Sequence, residues 1–418
     1  MRSGKLGYLH FLLRSIFLAA MIVVATAAVA ATEKILYSFN GGLDGSNPAS
    51  QLVFDGFGNA YGTTVTGGAA NCGTVFKLTP TGGGQWQESV LLSFDCFNGG
   101  KNPYGGVTFD TLGNLYGTTV AGGTGGVCSG DGCGLVYELS HSGSEWTETM
   151  LYNFRDAPDA SNPGSAVKFD IQGRLIGTAP DGGAYGVGAI YQLTSSNGQW
   201  TESILHDFTG GSDGALGSLG PLFRDASGNF YGVTEIGGGY SAGTVFKLAR
   251  GSGGTWQFTT IYAFRGQPDA AFPYGSLTVD SRGLLYGTSY YGGANGAGAV
   301  FRIGPSPGAG GWRSTVLYSF RGSTDGANPT STLIFGSGDR LYGTTSAGGD
   351  ASCQCGVVFA LAPTGNNRWT ESVLHSFTSG NDGAFPYYGL SDDGAGNYLS
   401  TTAAGGTQDA GVIFEITP

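Results

Sequence analysis

The chain is short of charge, of histidine and of any long apolar run beyond its first residues. Only 12% of its 418 residues are charged, and 4 are histidines. Of these, His10 lies in the leading segment, His141 in a loop, and His206 and His375 where other copies of a repeat carry Tyr. Without a placed His, neither a Ser–His–Asp nor a Cys–His site has support. No phosphate loop and no dinucleotide fingerprint is present. No CxxC pair or His-rich partner makes a zinc site, so no metal centre and no cofactor is expected. Helical spacing is missing over any useful length past residue 30.

The one apolar run, Ile16 to Val24, follows Arg2, Lys5 and Arg14 and precedes Ala28-Val29-Ala30. That order reads as a secretory signal over residues 1–30. The alternative is an N-terminal membrane anchor, for which the run is short of the roughly 20 residues a span needs. Cleavage after Ala30 would remove three positive charges and take the net charge from −11 to −14. So acidic a chain is a poor partner for nucleic acid. After cleavage no stretch could span a membrane, and the expected location is secreted or periplasmic.

Six cysteines remain: Cys72, Cys96, Cys128, Cys133, Cys353 and Cys355. An even number in an exported chain favours disulfides. Proximity suggests the pairs Cys72–Cys96, Cys128–Cys133 and Cys353–Cys355.

What is abundant is glycine, 79 residues, and it is periodic. Leu341-Tyr342-Gly343-Thr344-Thr345, then Gly348-Gly349, then Gly356 to Leu361, is one of seven copies. The Gly of the Tyr-Gly pair recurs at 62, 117, 177, 232, 287 and 343, and Ser400 holds the place in the seventh, with steps of 55, 60, 55, 55, 56 and 57 residues. Each copy holds four runs of 4 to 9 residues rich in Val, Thr, Tyr and Phe and bounded by Gly, Asn and Asp. These read as antiparallel strands, here called A to D. Four strands per unit, repeated radially, predict an all-β, seven-bladed β-propeller over residues 31–418. An open β-solenoid would have shorter rungs. The run Ile35 to Phe39 matches strand D with no A to C before it, and Gly411 to Ile416 matches strand C with no D after it. The last blade is therefore expected to be closed by the N-terminal strand, which removes two exposed edges.

Repeated side chains follow from this frame. Phe39, Phe94, Phe154, Phe208, Phe264, Phe320 and Phe377 end the D strands and are expected in the core. The six tryptophans precede the D strands at one phase. They pack between blades or cap their own blade edge, or they form a ring of sugar-stacking platforms.

Five residues beyond each D-strand Phe stands an Asp: Asp44, Asp159, Asp213, Asp269, Asp325 and Asp382, with Gly99 in the second copy. Nine residues beyond stands a Pro, except at Gly217. The D-to-A and B-to-C loops open on one face, which would gather these acids. They bind a cation or sugar hydroxyls there, or they close turns by accepting backbone N–H groups. No acid stands out from its repeat position as half of a two-carboxylate glycosidase pair. The irregular copies, where a site would break symmetry, are Gly122 to Gly134, Asp350 to Gly356 and Tyr290-Tyr291.

Leu-Tyr-Gly-Thr-Thr, Gly-Gly, Gly-Thr-Val-Phe-Lys-Leu, Tyr-Ser-Phe and Asp-Gly-x-Asn-Pro, nearly complete over Leu317 to Leu361, resemble the bacterial GloVer tandem repeat. The resemblance spans essentially all of the chain past residue 30. It implies an exported, propeller-like protein, often with a C-terminal sorting anchor, and it carries no reaction and no catalytic residue. The last repeat runs to Pro418 with no anchor following, so release or a periplasmic location is expected over surface attachment.

The expectation is a monomeric, non-catalytic scaffold for a carbohydrate or protein ligand. The alternatives are a polysaccharide-active hydrolase or lyase, and a structural envelope protein. Convergent acids with an Arg or Tyr at the centre of the loop face would favour an enzyme. A smooth ring of small residues there would favour a scaffold.

Overall fold

The computed structural model describes residues 31–418 save Val127, Ser144, Ser218, Leu219, Ser252, Pro307, Ala309 and Asn366, with the side chain of Ser129 also outside the description. The expected signal over residues 1–30 lies outside the described residues. Seven four-stranded antiparallel blades make a β-propeller, and among the described residues the helices are two single 3-10 turns, Cys128–Gly130 and Ser337–Asp339.

The first blade shows the plan. Strand A is split into Ser46–Pro48 and Val53–Phe54, both paired with strand B, Ala60–Thr66. Strand C, Thr74–Gly82, follows, and strand D, Gln85–Ser93, is outermost. Every D strand slips register at the same place, leaving one apolar residue unpaired: Leu36, Leu91, Leu151, Leu205, Ile261, Leu317 or Leu374. Such bulges add twist to the outer edge and blunt it against pairing with other chains.

The D-strand Phe rings are all buried, each against a ring or aliphatic residue of its own or the following blade. Fully burying one is worth roughly 1.5–3 kcal/mol. The Gly of the Tyr-Gly pair is required by this packing. A Cβ on Gly343 would stand 2.7 Å from Phe359 Cζ and 2.9 Å from Leu333 Cδ2. In the seventh copy Ser400 donates to the carbonyls of Tyr388 and Gly389 (3.2 and 3.1 Å).

The Tyr of the pair is buried, and in four copies its hydroxyl reaches the Asp of the A-to-B turn, as in Tyr61–Asp55 at 3.0 Å. Ile176 needs no such partner, and Tyr342 packs on Tyr398 at 4.7 Å instead. The tryptophans pack between blades: Trp146 against Tyr61, Trp369 against Tyr286, and Trp256 donating to Gln192 Oε1 at 3.2 Å.

Closure is direct. Thr32–Ser38 pairs antiparallel with Val412–Thr417, Ile35 facing Phe414 and Tyr37 facing Ile413. Thr401 Oγ1 donates to Ser50 O (3.4 Å), Ser391 Oγ to Leu52 O (2.7 Å) and Gln51 Nε2 to Leu390 O (2.9 Å), joining the seventh blade to the first at the centre. The Thr-to-carbonyl contact recurs between other neighbours as Thr118–Ser165, Thr288–Ser331 and Thr344–Tyr388.

Removing residues 31–39 is expected to expose the edge of Val412–Thr417 and the pocket of Phe39. The truncated protein should lose thermal stability and associate, as read by calorimetry and light scattering. A monomer with an unchanged melting temperature would contradict closure by this strand.

Candidate functional site

The six loop Asp side chains stand at the outer strands rather than around the centre. Each accepts from a D-strand side chain seven residues earlier: Tyr37–Asp44 (2.8 Å), Tyr152–Asp159 (3.0 Å), His206–Asp213 (3.0 Å), Tyr262–Asp269 (2.7 Å), Tyr318–Asp325 (2.9 Å) and His375–Asp382 (3.2 Å). Each also accepts a backbone N–H four residues earlier, as Asp44 does from Asn40. In the second copy Asp95 takes over, accepting from the N–H groups of Phe97 and Gly99. These contacts occupy the carboxylates as turn acceptors.

The sequence reading missed their partners. Six residues before the D-strand Phe stand Glu33, Glu88, Glu148, Glu202 and Glu371, and each feels the loop Asp at the end of the preceding blade. Burial, then the charge of Asp382, Asp44, Asp95 or Asp325 in turn, pushes Glu33, Glu88, Glu148 and Glu371 up to about 7. Arg321 eases the rise at Glu371. Burial and a hydrogen bond with Asp159 push Glu202 higher, to about 9, with Asp207 adding to the effect. In the two remaining blades Phe258 stacks on His206 at 3.7 Å, and Ser314 Oγ donates to Asp269 Oδ1 at 3.0 Å. The blade-to-blade rim is thus a series of carboxyl pairs that hold protons best in the folded state.

The three expected cysteine pairs are disulfides, with Cα–Cα distances of 5.3, 5.0 and 5.2 Å. Cys72–Cys96 ties the B-to-C loop of the first blade to its D-to-A loop, a closure worth roughly 3–4 kcal/mol in the chain-entropy account. Asp156 approaches Cys128–Cys133, but those sulfurs are bonded to each other and offer no thiolate.

A cavity of about 420 Å³ lies on the propeller axis, lined by residues of the A-strand segments of all seven blades; a second, of about 810 Å³, lies between the first two blades beside Asp55, Asp110 and Trp146. Residues ten and twelve beyond the D-strand Phe each line the axial cavity in five blades, and residue fourteen lines it in two, as Val53 and Lys168. The first of these layers sits at the loop face and breaks the sevenfold symmetry. It carries Tyr104, Tyr274 and Tyr387 where other blades have Ala49, Gly164 and Thr330. Tyr290, three residues past its Tyr-Gly glycine, joins them, 6.3 Å from Tyr274 and 4.7 Å from Tyr291 between ring centroids. Glu235 holds the matching place one blade earlier and acts on Tyr274 electrostatically. Burial raises the Glu235 carboxyl above the usual range.

The residue before the loop proline, or before Gly217 in its place, has positive φ in every blade. Four blades use Asn there, a residue that tolerates the left-handed region. Phe272 and Phe385 take φ of +55° and +60° at the same place, at a cost of roughly 1–2 kcal/mol each. Phe272 packs on Tyr291 (5.7 Å) and Phe385 stacks on Tyr387 (6.4 Å). The strained rings therefore extend the aromatic wall of the mouth.

A stability optimum follows from the carboxyls. The raised Glu residues contribute stability that is complete below their ordinary value and is lost as pH rises through 7 to 9. Asp55, Asp225 and Asp280 are raised by burial but held lower overall by Asn, Tyr, Arg and backbone hydrogen bonds. Their contribution is lost as pH falls below the ordinary Asp range. The melting temperature should be higher at pH 5 than at pH 8.5, and Glu148→Gln should narrow that difference. A higher value at pH 8.5 would contradict the paired-carboxyl account.

Among curated proteins no match is found. The fold is similar to a solved protein of unknown function from Dyadobacter fermentans DSM 18053, 12% identical, with a TM-score of 0.44, covering 82% of this chain and 97% of that one. It is also similar to a "putative oxidoreductase (glucose dehydrogenase)" from Thermus thermophilus, 16% identical, with a TM-score of 0.43, covering 82% of this chain and 98% of that one. The Gloeobacter/Verrucomicrobia repeat model matches residues 85–278, 127–349 and 224–418, and the chain belongs to that family.

Proposed function

We propose that this protein is an exported, non-catalytic β-propeller that binds carbohydrate at the tyrosine-lined mouth of its central channel. The supporting observation is the loss of symmetry there. Packing is served by the repeated Phe, Trp and Gly positions. Tyr104, Tyr274, Tyr290 and Tyr387 recur in no packing role and leave flat faces and hydroxyls around one opening. Tyr104 and Tyr387 are 37% and 42% exposed, more than an aromatic needed only for the core. A sugar offers an apolar ring face to stack on such rings and hydroxyls to bond at their edges.

Export is consistent with three disulfides, which persist in oxidising compartments, and with the charge pattern of the first residues. The hydrolase reading has less support. The residues lining the axial cavity include no carboxylate among those described, and Glu235 is a single acid where glycosidases use two.

A glycan array combined with a polysaccharide-degradation screen tests this. The protein should bind oligosaccharides without releasing reducing ends. The double variant Tyr274→Ala/Tyr387→Ala should lose at least about tenfold in affinity, since stacking on an aromatic side chain contributes on the order of 1 kcal/mol per ring, while keeping its melting temperature. Glycan binding that is absent, or unchanged in the variant, would refute the mouth as the site. New reducing ends would refute the non-catalytic reading.

A further inference from the structure

Among the described residues that line the channel, one is charged. Lys168 lies in strand A of the third blade, Lys168–Phe169, paired with Ile176. At the same register the other blades carry Val53, Thr108, Phe223, Thr278, Ile334 and Ser391. Apolar and hydroxyl side chains therefore satisfy the fold at this position six times out of seven, and a lysine is not what packing asks for. Its side chain lines the cavity, whose other described lining residues are all uncharged. No hydrogen bond or ion pair of its ammonium occurs among the described residues, and burial alone holds the amine below the usual lysine value. A cation in such surroundings without a counter-charge is disfavoured. A bound anion would relieve this. Four residues separate this level from the tyrosine layer, a separation of at most about 13 Å along the chain, and the cavity is of small-ligand size.

We propose that Lys168 is an anion-binding residue at the floor of the channel, taking the carboxylate of an acidic sugar whose ring stacks in the tyrosine mouth. The proposal rests on the carbohydrate reading and adds the charge of the ligand. It also accounts for how an acidic protein accommodates an anionic ligand. The long-range field is repulsive and screened within about 8–10 Å of salt solution, whereas the channel presents a local positive charge in a poorly solvated setting, where charge pairing is stronger.

The test uses calorimetric titration of the full protein and its Lys168→Met variant with digalacturonate and with neutral digalactose. A second readout is the rate of Lys168 acylation by acetic anhydride in the wild-type protein, followed by mass spectrometry with and without digalacturonate or sodium acetate. The wild-type protein should prefer digalacturonate by at least about tenfold, as expected for a desolvated charge pair, and either carboxylate should slow acylation of Lys168. Lys168→Met should abolish the preference while leaving digalactose binding and the melting temperature in place. If both disaccharides bind alike and neither carboxylate protects Lys168, the anion site is overturned and the mouth stands. If neither disaccharide binds but acetate still protects Lys168, the anion site stands and the carbohydrate reading fails. No protection by either carboxylate overturns the proposal whatever the variant does.

Discussion

The seventh blade is built from both ends of the described chain, and the rest of the structure depends on that pairing. Thr32–Ser38 supplies the outer strand that Val412–Thr417 lacks. Each blade buries its faces against two neighbours, so an open ring would leave two apolar faces and two strand edges in water. Closed, the ring forces seven inner strands together at the axis. Gly105, Gly220, Gly275 and Gly389 stand there because a Cβ would meet a neighbouring blade within 3 Å. The channel, its mouth and its floor exist only as consequences of that closure.

A ring of repeats has two kinds of residue. Those that pack recur in every copy or nearly so: the D-strand Phe, the Tyr-Gly pair and the unpaired bulge residue, joined in four blades by a Thr that reaches a neighbouring blade's carbonyl. Those that face the axis are released from that constraint, because the channel is shared by all blades and any one blade can supply the side chain. Tyr104, Tyr274, Tyr387 and Lys168 are of the second kind. The strained Phe272 and Phe385 belong with them, holding the left-handed backbone where Asn holds it elsewhere at less cost.

Much of the fold was legible from spacing alone. The blade count and the composite last blade follow from a 55-residue period and from which strand type begins and ends the array, and the three cysteine pairs from proximity. The site was less legible. Tyr290-Tyr291 stood out as an aromatic interruption of a Thr-Thr motif, and Tyr290 packs beside Tyr274. Tyr104, Tyr274 and Tyr387 follow the loop proline and look like ordinary loop variation. Only comparing that column across the copies, with Ala49 and Gly164 beside them, reveals the asymmetry. The Asp residues drew attention by their regularity, which reflects a turn. Their Glu partners six residues before the Phe were equally regular but lay inside a strand, where alternating polar residues are unremarkable. That two carboxyls from neighbouring blades meet is a tertiary fact with no local signature.

Amide hydrogen exchange of residues 32–38 tests the closed ring most directly. The structure predicts that these amides are protected to the same degree as those of the other outer strands, such as Gln85–Ser93, and exchange with them in one cooperative opening. Exchange within seconds at residues 32–38, with the other outer strands still protected, would contradict it.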